Sequence, residues 1–94
     1  MQNKYIETSE KITKTSYPSF SERLNYAMRL RHFNNLKLSQ SIYISPSAIS
    51  AYRNGTRQPN FDVLRSIALA LDVSADFLLG LSEYPNQSFI PPQK

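Results

Sequence analysis

NLKLSQSIYISPSAISAYRN, residues 35–54, decides the fold. Leu38 and Ile42 lie four apart and share one face of a short helix that Asn34 can cap. Ser45-Pro46 opens the next helix: a capping hydroxyl is followed by proline at the first helical position, where its missing N–H is no loss. Ala48, Ile49 and Tyr52 continue the apolar side of that helix. Asn54-Gly55 closes it, because Gly55 tolerates positive φ. If the second helix is to stand clear of the domain, the two must cross steeply. That crossing wants apolar residues at Leu38, Ile42, Ile44, Ile49 and Tyr52, and a small residue, here Ser39, where the helices touch. A competing register that enters the first helix at Leu38-Ser39-Gln40 leaves too few residues before Ser45-Pro46 for a helix and a turn.

Outward from this pair the pattern stays helical. Ser19 and Glu22 have capping-box spacing, and Phe20, Leu24, Ala27, Met28 and Arg31 follow the 3.6 period. His32 belongs to the turn after that helix. Beyond a loop over residues 56–59, Asn60 caps a helix with Phe61, Leu64, Ile67, Ala68 and Leu71 expected inward, ended by Asp72. Ser74 caps a last short helix, with Asp76 in its first turn where the helix dipole favours an acid. Phe77 and Leu78 form its apolar face and Gly80 its stop. The prediction is an all-α domain of five short helices, without strand pattern or internal repeat. Residues 19–81 make this domain. Residues 1–18, polar and ending at Tyr17-Pro18, read as a flexible arm; residues 82–94, with Pro85, Pro91 and Pro92, read as an extended tail.

A chain of 94 residues makes one domain with a modest core, which disfavours a roomy enzyme pocket. There is no cysteine, hence no disulfide framework and no thiolate metal site, in keeping with a reducing compartment. His32 is the single histidine, and no paired-carboxylate or Ser-His constellation appears, so neither an enzyme nor a cofactor is expected. No apolar run approaches the ~20 residues of a membrane span, and the N-terminus lacks a signal-peptide pattern. The expected location is the cytoplasm. Net charge is +4, but it is unevenly spread. No acid lies between Glu22 and Asp62, whereas Arg23, Arg29, Arg31, Lys37, Arg53 and Arg57 do. The C-terminal third runs net negative. This distribution reads as one polyanion-facing surface on an ordinary domain, or as a solvated basic face.

The stretch ISPSAISAYRNGTRQPNFDVLRSIALALDVSADFLLG, residues 44–80, resembles the Cro and phage-repressor (Xre-type) helix-turn-helix family. The family shows valine-serine, isoleucine-serine, asparagine-glycine, proline, leucine-alanine and valine-serine-x-aspartate-x-leucine-leucine-glycine at this spacing. The resemblance covers residues 20–80 and implies a compact lambda-repressor-like fold whose second and third helices form the helix-turn-helix. Two positions depart from the pattern. Asn35 stands where the family has glutamine and can still bond a phosphate. Tyr43 stands where the family has glycine, and must either adopt positive φ or remodel the turn.

The resemblance also implies roles. Asn35 and Asn54 occupy positions that hold the DNA backbone, although Asn54 can instead simply cap its helix. Pro46, Ser47, Ser50 and Ala51 occupy the base-reading positions. All are small, and none makes a bidentate guanine or adenine contact, so the helix is expected to sit close to the DNA. Ser47 and Ser50 can bond base edges or phosphates, or be plain surface; Ala48 or Ala51 can touch thymine methyls. Ser45 reads as a cap first and a backbone contact second. Thr56, Arg57 and Lys37 add backbone contacts, and Arg53 is either a phosphate contact or a solvated charge. Leu79, Leu81, Tyr84, Phe89 and Ile90 offer apolar surface for a twofold contact. The expected function is transcriptional regulation, as a repressor of bacterial, phage or mobile-element type. Such a protein would bind double-stranded DNA through the major groove, as a homodimer on an inverted repeat. The alternative is an antitoxin or antirepressor-like module whose scaffold mainly holds a regulatory protein partner.

Overall fold

A computed structural model describes residues 18–86. Five helices follow one another: α1 Phe20–Arg31, α2 Asn35–Ile42, α3 Pro46–Asn54, α4 Phe61–Leu71 and α5 Ala75–Leu78. There is no strand among the described residues. Each helix starts where a side chain can satisfy its open N–H groups. Ser19 and Glu22 close the capping box reciprocally on α1. Asn34, Ser45, Asn60 and Ser74 each accept a backbone N–H at the start of α2, α3, α4 and α5.

The inward stripes meet in one core. Leu24, Met28, Leu38, Ile49, Ile67, Leu71, Val73 and Leu78 are fully buried, with Tyr52 and Phe77 nearly so. Phe20, Ile42, Ile44 and Leu64 pack on its rim. α3 rests on α1 and α2; α4 supports α2 from the other side, and α5 closes the bundle against α1 and α4. Ser39 is buried between its neighbours; a larger side chain there would force α2 off its partners. Phe61 was expected to point inward but is 84% exposed. It is the first residue of α4, before a full turn exists, and Leu64 and Ile67 take the inward places instead.

Four of the five helices, α1 to α4, end at a left-handed residue. His32, Tyr43 and Asp72 adopt φ of 62°, 61° and 55°. Of the two outcomes open to Tyr43, the backbone takes positive φ, and its N–H donates to the Ser39 carbonyl at 2.8 Å. The first residues of the expected tail lie against the domain, the Pro85 carbonyl accepting from the Ser74 N–H at 2.8 Å.

The tyrosine at this turn gains little, since its side chain is 92% exposed. Left-handed backbone costs a non-glycine residue about 1–2 kcal/mol, while glycine's freedom in the unfolded chain takes back about 0.4–1 kcal/mol. Tyr43→Gly should therefore stabilise the domain by roughly 0.5–1 kcal/mol, read as a higher urea midpoint with unchanged slope. An unchanged or lower midpoint would show that the turn is not strained.

Candidate nucleic-acid interface

α3 is held by one face and offers the other. The Ser45 Oγ accepts from the Ala48 N–H at 3.1 Å, and Pro46 occupies the first turn. Ala48, Ile49 and Tyr52 share the inward side and are buried. Pro46, Ser47 and Ser50 are exposed and Ala51 is half-buried. Ala48 is thereby removed from the groove-facing residues expected from sequence: it is 6% exposed, one position before Ile49 on the same face, and its methyl belongs to the core.

Asn35 and Asn54 stand at the start of α2 and the end of α3. Asn54 does not cap α3 with its side chain, because Gly55 takes the left-handed cap at φ 83° and its N–H reaches Ala51 and Tyr52 carbonyls. The Asn54 Oδ1 instead accepts from the Thr56 N–H at 3.2 Å and the Thr56 Oγ1 at 2.8 Å. Among the described residues its Nδ2 makes no hydrogen bond. Asn35 is half-buried, and its Oδ1 accepts from Arg53 Nη1 at 2.5 Å. Of the two expectations for Arg53, a phosphate contact or a solvated charge, the second does not hold, because its guanidinium has side-chain partners. Its Nε donates to Asn25 Oδ1 at 2.6 Å, making the guanidinium a partly buried crosslink between α1, α2 and α3. This crosslink brings Asn35 beside the end of α3 where Asn54 lies.

The basic block resolves into two kinds of cation. Arg23 stacks on the Phe77 ring at 4.2 Å. Arg31 donates to the Leu71 and Asp72 carbonyls at 2.9 and 2.8 Å, closing the end of α4. With Arg53, three of the guanidinium groups thus have structural partners. Lys37 and Arg57 are exposed, the first with its Nζ 4.5 Å from the Phe33 ring centroid and the second 5.6 Å from that of Tyr52. Arg29 and Thr56 are exposed as well. Lys37 belongs to α2 and Arg57 follows α3 in the chain.

Sequence reasoning missed Asn25. Its Nδ2 donates to the Ser21 and Arg53 carbonyls at 2.9 and 3.0 Å, and its Oδ1 receives Arg53. One signal was present: asparagine is a poor residue for a helix interior unless its side chain finds partners. Of the expected twofold-contact residues, Leu79, Leu81 and Tyr84 are exposed, while Phe89 and Ile90 lie outside the described residues. Among the described residues no cluster of His, Asp or Glu could hold a metal, and no helix is long and apolar enough to cross a membrane.

A helix-turn-helix family model matches residues 26–78. The chain belongs to this family, in its Cro/phage-repressor (Xre) branch. The fold is similar to that of the P22 c2 repressor protein, solved in complex with synthetic operator 9T. The TM-score is 0.65 at 25% identity, over 69% of this chain and 98% of that one. In sequence the chain is 33% identical over 60 residues to YqaE, an uncharacterized HTH-type transcriptional regulator of Bacillus subtilis (strain 168). That match covers 64% of this chain and 52% of YqaE, so the chain spans about half the length of this relative. The helix-turn-helix proper is α2, the Tyr43 turn and α3.

Ser45 caps α3 with its hydroxyl, as expected from the sequence. Ser45→Ala should lower unfolding stability by about 1 kcal/mol, the usual worth of an N-cap hydroxyl. Chemical denaturation checks this, and a variant as stable as the parent would show the hydroxyl idle in the fold.

Proposed function

We propose that this chain is a sequence-specific DNA-binding transcriptional regulator that acts as a repressor of phage or mobile-element type. It binds an inverted-repeat operator as a homodimer, in the cytoplasm of a bacterium. The observation that carries the reading is α3 itself, anchored through Ala48, Ile49 and Tyr52 with Pro46, Ser47 and Ser50 on its outer side. A helix so held can enter the ~12 Å major groove. Asn35 and Asn54, with Lys37, Thr56 and Arg57, supply N–H, O–H and cationic groups around it, as backbone contacts require. Family membership and the likeness to an operator-bound repressor support the same reading.

Small outer residues set how it would recognise sequence. With no long donor on α3 between Pro46 and Ala51, the helix can approach the base edges closely. Ser47 and Ser50 then bond edges, Ala51 touches methyls, and the remaining discrimination falls to DNA shape. One module covers few base pairs, so two would be joined, through Leu79, Leu81 and Tyr84 with Phe89 and Ile90, on half-sites about 34–36 Å apart. The same lack of long polar residues favours a second reading, in which the scaffold mainly holds a protein partner as an antitoxin or antirepressor does.

Salt separates the two. Contacts to about four to six phosphates give log K against log salt a slope of roughly −4 to −5, whereas a protein partner responds far less. Selection of bound sites from random duplexes should return paired half-sites; if no sequence is enriched and no duplex is retained at low salt, the DNA reading falls. Asn54→Ala should weaken binding to all duplexes alike, while Ser47→Ala should change preference at one or two base pairs. Sedimentation should show a dimer at tens of micromolar, and a monomer with and without DNA would remove the twofold contact.

A further inference from the structure

We propose that Arg53, itself held by Asn25, is a positioning residue that fixes the Asn35 carboxamide with its nitrogen outward. Asn35 would thereby offer a phosphate only N–H donors. The inference rests on the DNA-binding reading of Asn35 and adds how that residue is made fit for it.

The argument starts at Asn25, inside α1. Its amide nitrogen donates to two carbonyls, Ser21 at 2.9 Å and Arg53 at 3.0 Å, and its oxygen accepts from Arg53 Nε at 2.6 Å. Carbonyls only accept and a guanidinium only donates, so the partners determine which way this amide faces. A flipped Asn25 would set oxygen against two carbonyls and nitrogen against a cation. Asn25 therefore holds Arg53 by both its backbone and its side chain, over a sequence separation that joins α1 to α3. So held, Arg53 presents Nη1 to the Asn35 Oδ1 at 2.5 Å. The same rule then orients the second amide: its oxygen faces the guanidinium, and both Nδ2 protons remain, without a partner among the described residues.

This orientation matters for an anion. An unrestrained carboxamide turns either edge outward, and the oxygen edge repels a phosphate. Asn54, next to Arg53 in the chain, likewise has its oxygen taken, by Thr56 N–H and Oγ1. Both amides thus have their oxygens occupied, by unrelated partners.

The test is affinity for a mixed-sequence duplex at low ionic strength, where backbone contacts dominate. Arg53→Lys keeps the charge but cannot hold Asn25 and Asn35 together with one ammonium on a flexible stem. It should weaken binding about 10-fold, the worth of one hydrogen bond to a charged oxygen, and leave the salt slope unchanged. In an Asn35→Ala background the same change should have almost no effect. Asn25→Ala, which leaves the Arg53 and Asn35 side chains in place but removes the amide that holds Arg53, should reproduce part of the loss and show no further loss beside Asn35→Ala. In NMR spectra, the Asn35 side-chain amide protons should shift on adding duplex to the parent and not to Arg53→Lys, while those of Asn54 shift in both. If Arg53→Lys binds like the parent and Arg53→Met reduces the salt slope, Arg53 contacts phosphate directly and the proposal is wrong. Losses from Arg53→Lys that persist undiminished beside Asn35→Ala overturn it too. A parent that retains no duplex removes the DNA-binding reading and this inference with it, an outcome distinct from a parent that binds and variants that do not couple.

Discussion

The close approach of α2 to α3 governs the rest of the molecule. α3 has 9 residues, short of the ~12–15 at which an isolated helix becomes even marginally stable in water. It persists because Ser45 and Pro46 start it, Gly55 ends it, and Ala48, Ile49 and Tyr52 are taken into the core. Those three can be taken in only if α2 lies near, which needs the small Ser39 at the contact and a reversal of the chain at Tyr43. The domain tolerates a left-handed tyrosine there because a relaxed turn would swing α3 away and open the space under Ile49. A strained residue is kept in place by the burial on either side of it.

The second theme is the use of charge and amides. A run of cations without acids reads naturally as one surface, yet Arg23, Arg31 and Arg53 are turned to a ring, a helix end and two amides. Arginine suits such work: its planar fork bonds several acceptors at once and is more weakly hydrated than an ammonium. Of the candidate contacts, Lys37 and Arg57 are exposed charges, Asn54 and Thr56 exposed neutral groups, and Asn35 a half-buried one. A neutral donor releases no counterion when it meets a phosphate, so it adds geometric register without adding to the salt dependence that cations bring.

Much of this was legible from the chain alone, and the reasons are local. Every N-cap the sequence proposed, from Ser19 to Ser74, is formed, since capping needs only residues within one turn of each other. The inward stripes of α1 and α3 followed from periodicity. Phe61 failed because periodicity counts a residue at the very start of a helix as though a turn preceded it. Ala48 was open to two readings, core and groove, because a small apolar residue satisfies either pattern; only the packing of Ile49 beside it decides. The Asn25–Arg53–Asn35 crosslink was not legible, because it joins three helices and depends on how amides face one another in space. The sequence thus nominates candidate contacts but does not show the hydrogen bonds that orient Asn35 and Asn54.

The same contrast bears on how a chain with so plain an outer face on α3 can discriminate among sequences. Long side chains read bases by reaching, and their reach tolerates some slack in the helix that bears them. Serines and alanines have no reach, so an angstrom of displacement of α3 would lose a contact rather than lengthen it. If, as proposed, Pro46, Ser47, Ser50 and Ala51 form the recognition surface, it demands more of its scaffold than one built of arginine and glutamine. The scaffold is organised to meet that demand: α3 is capped at both ends, buried along one side, and tied by Arg53 to both helices before it. On that reading, rigidity in the support would stand in for length in the side chains, and the energy of shaping the DNA to that rigid face would become part of what distinguishes one site from another.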